Sequence, residues 1–277
     1  MTGAAPDWLQ VTEGRAPLIV SLPHTGTEIP PEIEARFVSP WLARKDADWW
    51  VEKLYDFATD LGATVVRTAI SRSVIDVNRD PSGASLYPGQ ATTELCPTTT
   101  FDGEPLYRDG QEPDAAEIAA RRGRFFDLYH GALSGEIARL RQRHERVVLY
   151  EAHSIRSLVP RLFEGQLPQF NIGDNGGQTC DPALTAAVEA ACDHSGLSRI
   201  TNGRFKGGWT TRRYGHPREG VHAIQMELAC RGYMDDLVET PTPGTWPAPY
   251  RPDQAAPMRA VLTDVLSACI AFARPPA

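Results

Sequence analysis

Four apolar runs rich in β-branched residues punctuate the chain, at 17–22, 63–70, 146–151 and 221–228, and each reads as a strand. Being continuous rather than alternating, several of them fit strands buried on both faces of a sheet. Between the first two, Val51, Leu54, Ala58 and Leu61 recur at helical spacing, and Gly62 stands where a helix-ending glycine belongs, so a helix is predicted over 48–61. A longer helix is predicted over 114–144, where Asp114 with Glu117 makes a capping-box-like start and Ile118, Phe125, Tyr129, Leu133, Ile137 and Leu140 share one face. Asp181-Pro182 opens another in cap-then-proline order. A last helix, from about 256 to 273, turns Met258, Val261, Leu262, Val265, Leu266 and Cys269 inward.

This alternation of strand and helix predicts an α/β fold, with a mixed, mostly parallel sheet flanked by helices on both faces. No repeat or linker divides the chain, so residues 1–277 are expected to form a single domain. Three long irregular segments interrupt the pattern at 80–112, 154–180 and 202–220. They carry Gly, Arg, Asn and aromatic residues rather than low-complexity sequence, and are expected to wall an active site. The proline-rich stretch 241–257 reads as a surface connector to the last helix.

Composition narrows the function. A net charge of −7 argues against nucleic acid as a partner, because phosphate binding needs a basic surface, while leaving room for a local basic pocket and an acidic metabolite. The five cysteines are scattered, odd in number and without a CxxC pair, so neither a disulfide framework nor a cysteine zinc site is expected. The segment Met1-Thr-Gly-Ala-Ala-Pro-Asp lacks a basic region followed by an apolar core, and a cytoplasmic protein with no membrane association is expected.

Candidate chemistry gathers at the strand ends. His24 follows the first run in Ser-Leu-Pro-His24-Thr-Gly26, and His153 follows the third in Tyr150-Glu151-Ala152-His153-Ser154. Ligands of open α/β sheets sit beyond the carboxyl ends of the strands, so the two imidazoles are expected at one site, most simply as ligands of zinc. The spacing His-x-x-Glu is absent. The third ligand is therefore sought elsewhere, and either Asp46 or Asp48 can supply it, the other capping the helix that follows. Glu227 lies in an apolar strand, where a carboxylate is costly without a purpose, and is a candidate general base. In Ser71-Arg72-Ser73-Val74-Ile75-Asp76-Val77-Asn78-Arg79-Asp80, two arginine forks flank a strand-like apolar core and suit a carboxylate, with Asn78 as an added donor. Arg156 and Arg213 add positive charge for an acidic substrate. No Gly-x-Ser-x-Gly elbow, Walker loop or dinucleotide fingerprint is present.

The chain resembles the N-formylglutamate deformylase (N-formylglutamate amidohydrolase) family over nearly its whole length. The resemblance rests on Pro23-His24-Thr25-Gly26, Asp46-Ala-Asp48-Trp49, Ser71-Arg72 through Asn78-Arg79-Asp80-Pro81, Leu95 through Tyr107, Ala152-His153-Ser154-Ile155-Arg156 and His222 through Leu228. It implies a fold like that of zinc carboxypeptidases and aspartoacylases, and hydrolysis of N-formyl-L-glutamate to formate and L-glutamate in histidine degradation. It further implies that His24, His153 and Asp48 hold zinc, or another divalent transition metal, and that Glu227 is the base. Arg72 would polarise the scissile carbonyl, Asn78 and Arg79 would grip a carboxylate, and Arg156 or Arg213 would assist. Trp50 stands where many members have histidine and is expected to reshape the pocket. Glu151 replaces an aspartate and is expected behind His153. Two rivals follow: a related zinc enzyme for another N-acyl acidic amino acid, and a metal-free binder of acidic metabolites.

Overall fold

The structure is a computed structural model that describes residues 6–84, 89, 92–237 and 240–274. The N-terminal residues 1–5, and positions 85–88 and 90–91 of the 80–112 segment, lie outside the described residues. Seven strands are present: β1 (Leu9–Thr12), β2 (Leu18–Leu22), β3 (Thr64–Thr68), β4 (Val147–Ile155), β5 (Phe170–Gly173), β6 (Arg199–Thr201) and β7 (Val221–Ala229). They form one sheet in the order β1-β3-β2-β4-β7-β5-β6. The four strands read from the sequence are its contiguous parallel centre, β3-β2-β4-β7. β1 runs antiparallel to β3 and β5 antiparallel to β7, which makes the sheet mixed. β1, β5 and β6 have no more than four residues each, too few to carry a period.

Side-chain alternation divides the centre of the sheet between two environments. Val148, Tyr150 and Ala152 of β4, with Ile224, Met226 and Leu228 of β7, pack into one core under the helices Pro182–Asp193 and Pro252–Ala273. On the opposite face Ile19, Val147, Leu149 and Ala223 meet Phe125, Tyr129, Leu133 and Leu140 from the long helical segment. That second core ends half-way along the strands. Beyond it the same face carries Ser21, Glu151, His153, Gln225 and Glu227, all buried and all polar.

Helices differ from the sequence reading in instructive ways. The predicted 48–61 helix is a single turn, Val51–Leu54, followed by a 3-10 turn, Asp56–Thr59. Arg259 donates to the carbonyls of Lys53 and Leu54 at 2.6 and 3.1 Å, satisfying groups that a continuous helix would have bonded. Asp114 does cap its helix, accepting from the Glu117 N–H at 2.8 Å, but Glu117 pairs with Arg36 and Arg121 instead of returning to the cap. The helix runs Ala115–Arg121, passes through a π turn at Arg122–Phe126 and continues over Asp127–Arg141. The stretch 241–257 is more than a surface connector. Trp246 is buried, donates to the Lys45 carbonyl at 2.8 Å and accepts from Trp41 through its own carbonyl, and the last helix starts at Pro252.

Helix Pro252–Ala273 has the length and composition of a membrane span, the one such helix among the described residues. Its face of Val261, Leu262, Val265 and Leu266 is packed in the first core. Leu262 is fully buried there, and Leu262→Ala is expected to cost about 2–5 kcal/mol of stability. Chemical denaturation checks this, the midpoint falling with the slope unchanged.

Candidate metal and catalytic site

β4 continues four residues past its predicted end at 151, because all nine of its residues pair with the nine of β7. His153 therefore sits inside a strand rather than after one, directly opposite Glu227, with Glu151 opposite Gln225. His24 lies two residues beyond the carboxyl end of β2. Asp48 follows the short helix Leu42–Lys45, and its N–H donates to the His24 carbonyl at 2.9 Å, tying the two loops together. The next turn passes through Trp50, whose φ of 66° lies in the left-handed region, uncommon for a non-glycine residue.

Three of these side chains converge. His153 Nδ1 is 3.0 Å and His24 Nδ1 3.8 Å from Asp48 Oδ2, and the candidate ligand atoms of the three residues all lie within 4.8 Å of one another. Two ligands of a tetrahedral zinc stand about 3.3 Å apart, so the spacing suits such an ion. The remaining ring nitrogens are occupied from behind: His24 Nε2 lies 2.7 Å from Asp76 Oδ1, and His153 Nε2 lies 3.1 Å from Asn78 Nδ2 and 3.7 Å from Glu151 Oε1. His24 Nδ1 and Asp48 Oδ1 are buried and lack a hydrogen-bond partner among the described residues. Buried polar atoms without partners are costly, and a cation among the three residues would satisfy them. Asp46, the alternative ligand, instead accepts from the Phe101 N–H at 2.7 Å, and burial pushes its carboxyl up to about 6.

Asp76 is the residue that sequence reasoning passed over. Oδ1 accepts from His24 and from the Asn78 N–H at 2.9 Å, and Oδ2 accepts from Arg72 Nη2 at 2.7 Å with Arg79 Nη2 at 3.6 Å. Burial works against its charge, but Arg79, His24 and Arg72 together hold it well below the usual carboxylate range. The signal was its place between Ile75 and Val77 in an otherwise apolar run. That run is a series of turns rather than the strand-like core expected.

Charge elsewhere in the site follows the same logic. Burial opposes protonation of His153, yet the carboxylates of Asp48 and Glu151 outweigh it and raise the ring to about 10, a measure of how strongly the cluster attracts positive charge. Burial and the Arg72 charge lower His24. Burial raises Glu227 to about 7, with the charges of Asp48 and Glu151 adding to it against His153 and Arg72. Gln225 donates to Glu227 Oε2 at 3.2 Å.

A cavity opens over this group. Its floor is His24, His153, Glu227 and Arg72, and its walls include Asn78, Arg79 and Phe101, whose ring lies 4.7 Å from the Arg72 guanidinium. Arg204 and Phe205 come from the predicted loop 202–220, and Arg161 and Leu162 from 154–180. Neither Arg161 nor Arg204 had a sequence signal, since no period or spacing links them to the other site residues. Arg156 and Arg213 are placed elsewhere. Arg156 is buried against Asp102 at 2.6 Å, beside Lys45 and Asp46, and Arg213 is exposed. Trp50 does not line the cavity, because its indole donates to the Ala248 carbonyl at 2.9 Å. Glu151 stands behind His153 as expected and accepts from Thr211 Oγ1 at 2.8 Å. Gly208 lets Asn78 approach: a Cβ there would fall 2.3 Å from the Asn78 amide nitrogen. All five cysteines are free and buried.

The profile of the N-formylglutamate amidohydrolase family matches residues 16–234, a span that holds every site residue above. The chain belongs to this family. An N-formylglutamate deformylase of Pseudomonas aeruginosa is 45% identical over 267 residues, covering 96% of this chain and 97% of the relative. A Pseudomonas putida protein of the same name is 42% identical over 265 residues, covering 95% and 96%. Among solved structures, the N-formylglutamate amidohydrolase of Ralstonia eutropha superposes with a TM-score of 0.77 at 25% identity, covering 98% of each chain.

Asp76→Asn keeps the shape of the hub but weakens its hold on His24. It is expected to reduce metal affinity about 10–100-fold, measured by competition with a chromogenic chelator, and an unchanged affinity would remove Asp76 from this role.

Proposed function

We propose that the chain is a zinc-dependent N-formylglutamate deformylase, acting in the cytoplasm on N-formyl-L-glutamate in histidine degradation. One observation carries the chemistry: the β4–β7 register sets Glu227 beside His153, so a carboxylate raised towards neutrality borders the proposed metal ligands. Family membership and the two Pseudomonas relatives support the substrate. His24, Asp48 and His153 would hold the metal, which supplies Lewis acidity to polarise an acyl oxygen and to acidify water.

The protein's own groups then divide the remaining work. Glu227 takes a proton from the attacking water as its oxygen bonds to the formyl carbon. Arg72, fixed between Asp76 and the Phe101 ring, faces the negative charge that develops on the carbonyl oxygen. As the carbon–nitrogen bond breaks, Glu227 returns the proton to the departing amine, leaving formate and L-glutamate. Asn78 and Arg79 grip a substrate carboxylate. Arg79 is braced for this by Thr93, whose carbonyl and hydroxyl accept at 3.1 and 3.0 Å.

Formate release from N-formyl-L-glutamate, before and after chelation with zinc added back, tests the reading. Release that chelation abolishes and zinc restores is the expected result. No release from zinc-loaded protein would contradict the substrate, and release insensitive to chelation would contradict the metal. The base acts deprotonated and its pKa is raised, so activity should fall as the pH drops through an acid limb above the ordinary carboxylate range.

A further inference from the structure

Four arginines line the cavity, Arg72, Arg79, Arg161 and Arg204, and Glu227 is the single carboxylate among the described lining residues. This is a local reversal of sign in a chain of net charge −7. The arginines fall into two pairs. Arg72 and Arg79 are neutralised from behind by Asp76, at 2.7 and 3.6 Å. Arg161 and Arg204 come from two separate loops and rest on different supports. Arg161 Nη1 is 3.4 Å from the Thr100 carbonyl oxygen and 3.5 Å from that of Phe101, long contacts to neutral groups. Arg204 Nε donates to the Leu162 carbonyl at 2.8 Å, and its guanidinium lies 5.4 Å from the Phe205 ring.

Both loops stand on an apolar bed. Leu162, Phe163 and Phe205 pack against the cluster of Phe101, Ile155, Val159 and Leu167, so the two guanidiniums are carried by packed side chains rather than by free loop. Arg161 also crosses Gly103, where a Cβ would stand 3.4 Å from its side chain. The cavity therefore has two cationic poles. One is Arg79 with Asn78, next to the reacting groups, and the other is Arg161 with Arg204 on the loop-built walls. An N-acyl amino acid with an acidic side chain carries two carboxylates, and guanidinium forks match carboxylates in charge and shape.

We propose that Arg161 and Arg204 form a second carboxylate subsite that reads the acidic side chain, while Asn78 and Arg79 take the α-carboxylate. The two subsites together restrict the enzyme to N-acyl dicarboxylic amino acids. This inference rests on the deformylase reading and deepens it. Replacing the side-chain carboxylate by its isosteric amide keeps the shape but removes the charge that the second pole faces.

The test compares kcat/KM for N-formyl-L-glutamate and N-formyl-L-glutamine, using zinc-loaded full chain. A charge-assisted contact is worth roughly 10–100-fold, so wild type is expected to favour the glutamate compound by about 100-fold. In Arg161→Gln and Arg204→Gln that ratio should shrink about tenfold each, the loss falling mainly on the glutamate compound through KM. Arg79→Gln should instead lower both compounds alike, because both keep the α-carboxylate. Wild type that turns over both compounds equally would overturn the second subsite while leaving the deformylase reading intact. Equal losses on both compounds in the Arg161 and Arg204 variants would assign these residues to structure only and overturn it too. Turnover of neither compound by wild type would overturn the deformylase reading and this inference with it.

Discussion

His153 stands opposite Glu227, and Glu151 opposite Gln225, because β4 and β7 pair in parallel over nine residues in a single register. A slip of one residue by either strand would turn that strand's two polar side chains into the core of Tyr150, Met226 and Leu228, and would bring its own apolar residues out in their place. The apolar alternation along both strands forbids that slip. The same pattern that buries the hydrophobic core thus positions the site, and no separate device is needed to bring a candidate metal-ligand histidine and a carboxylate together.

Taking so many charges out of water is expensive unless each finds a partner. Asp76 meets much of that cost by itself. One buried carboxylate orients His24, neutralises Arg72 and Arg79, and through the Asn78 N–H fixes the residue that touches His153. Glu151 serves His153 in the same way from two residues earlier on β4. Among the atoms these partners leave without a hydrogen bond are His24 Nδ1 and Asp48 Oδ1 at the centre of the cluster, where a cation would satisfy both.

The central sheet was legible because its strands are long and apolar, and the helical faces because their stripes repeat. β1, β5 and β6 escaped, being held by their neighbours in the sheet rather than by any pattern of their own. His24, His153 and Glu227 stood out as polar residues at or inside apolar runs, and Asp48 came with the family resemblance. Asp76 carries the same signal, but it lies between Arg72 and Arg79, and nothing local shows that it is the partner of both. The expected substrate role of Arg156 and Arg213 rests on their charge, and charge does not say which way a side chain turns: one pairs with Asp102 and the other faces solvent. Arg161 and Arg204 reach the cavity through loops whose course is set by the packing of Phe163 and Phe205, a tertiary fact that local sequence does not encode.

In the proposed mechanism His24, Asp48 and His153 would hold the metal, and Glu227 would move the proton. Glu227→Gln, with bound zinc and kcat measured on the same preparation, tests that division most directly. Zinc content unchanged from wild type with kcat reduced about 100-fold or more is the expected result. Loss of zinc together with activity would make Glu227 a ligand, and retention of both would leave the reaction without its base.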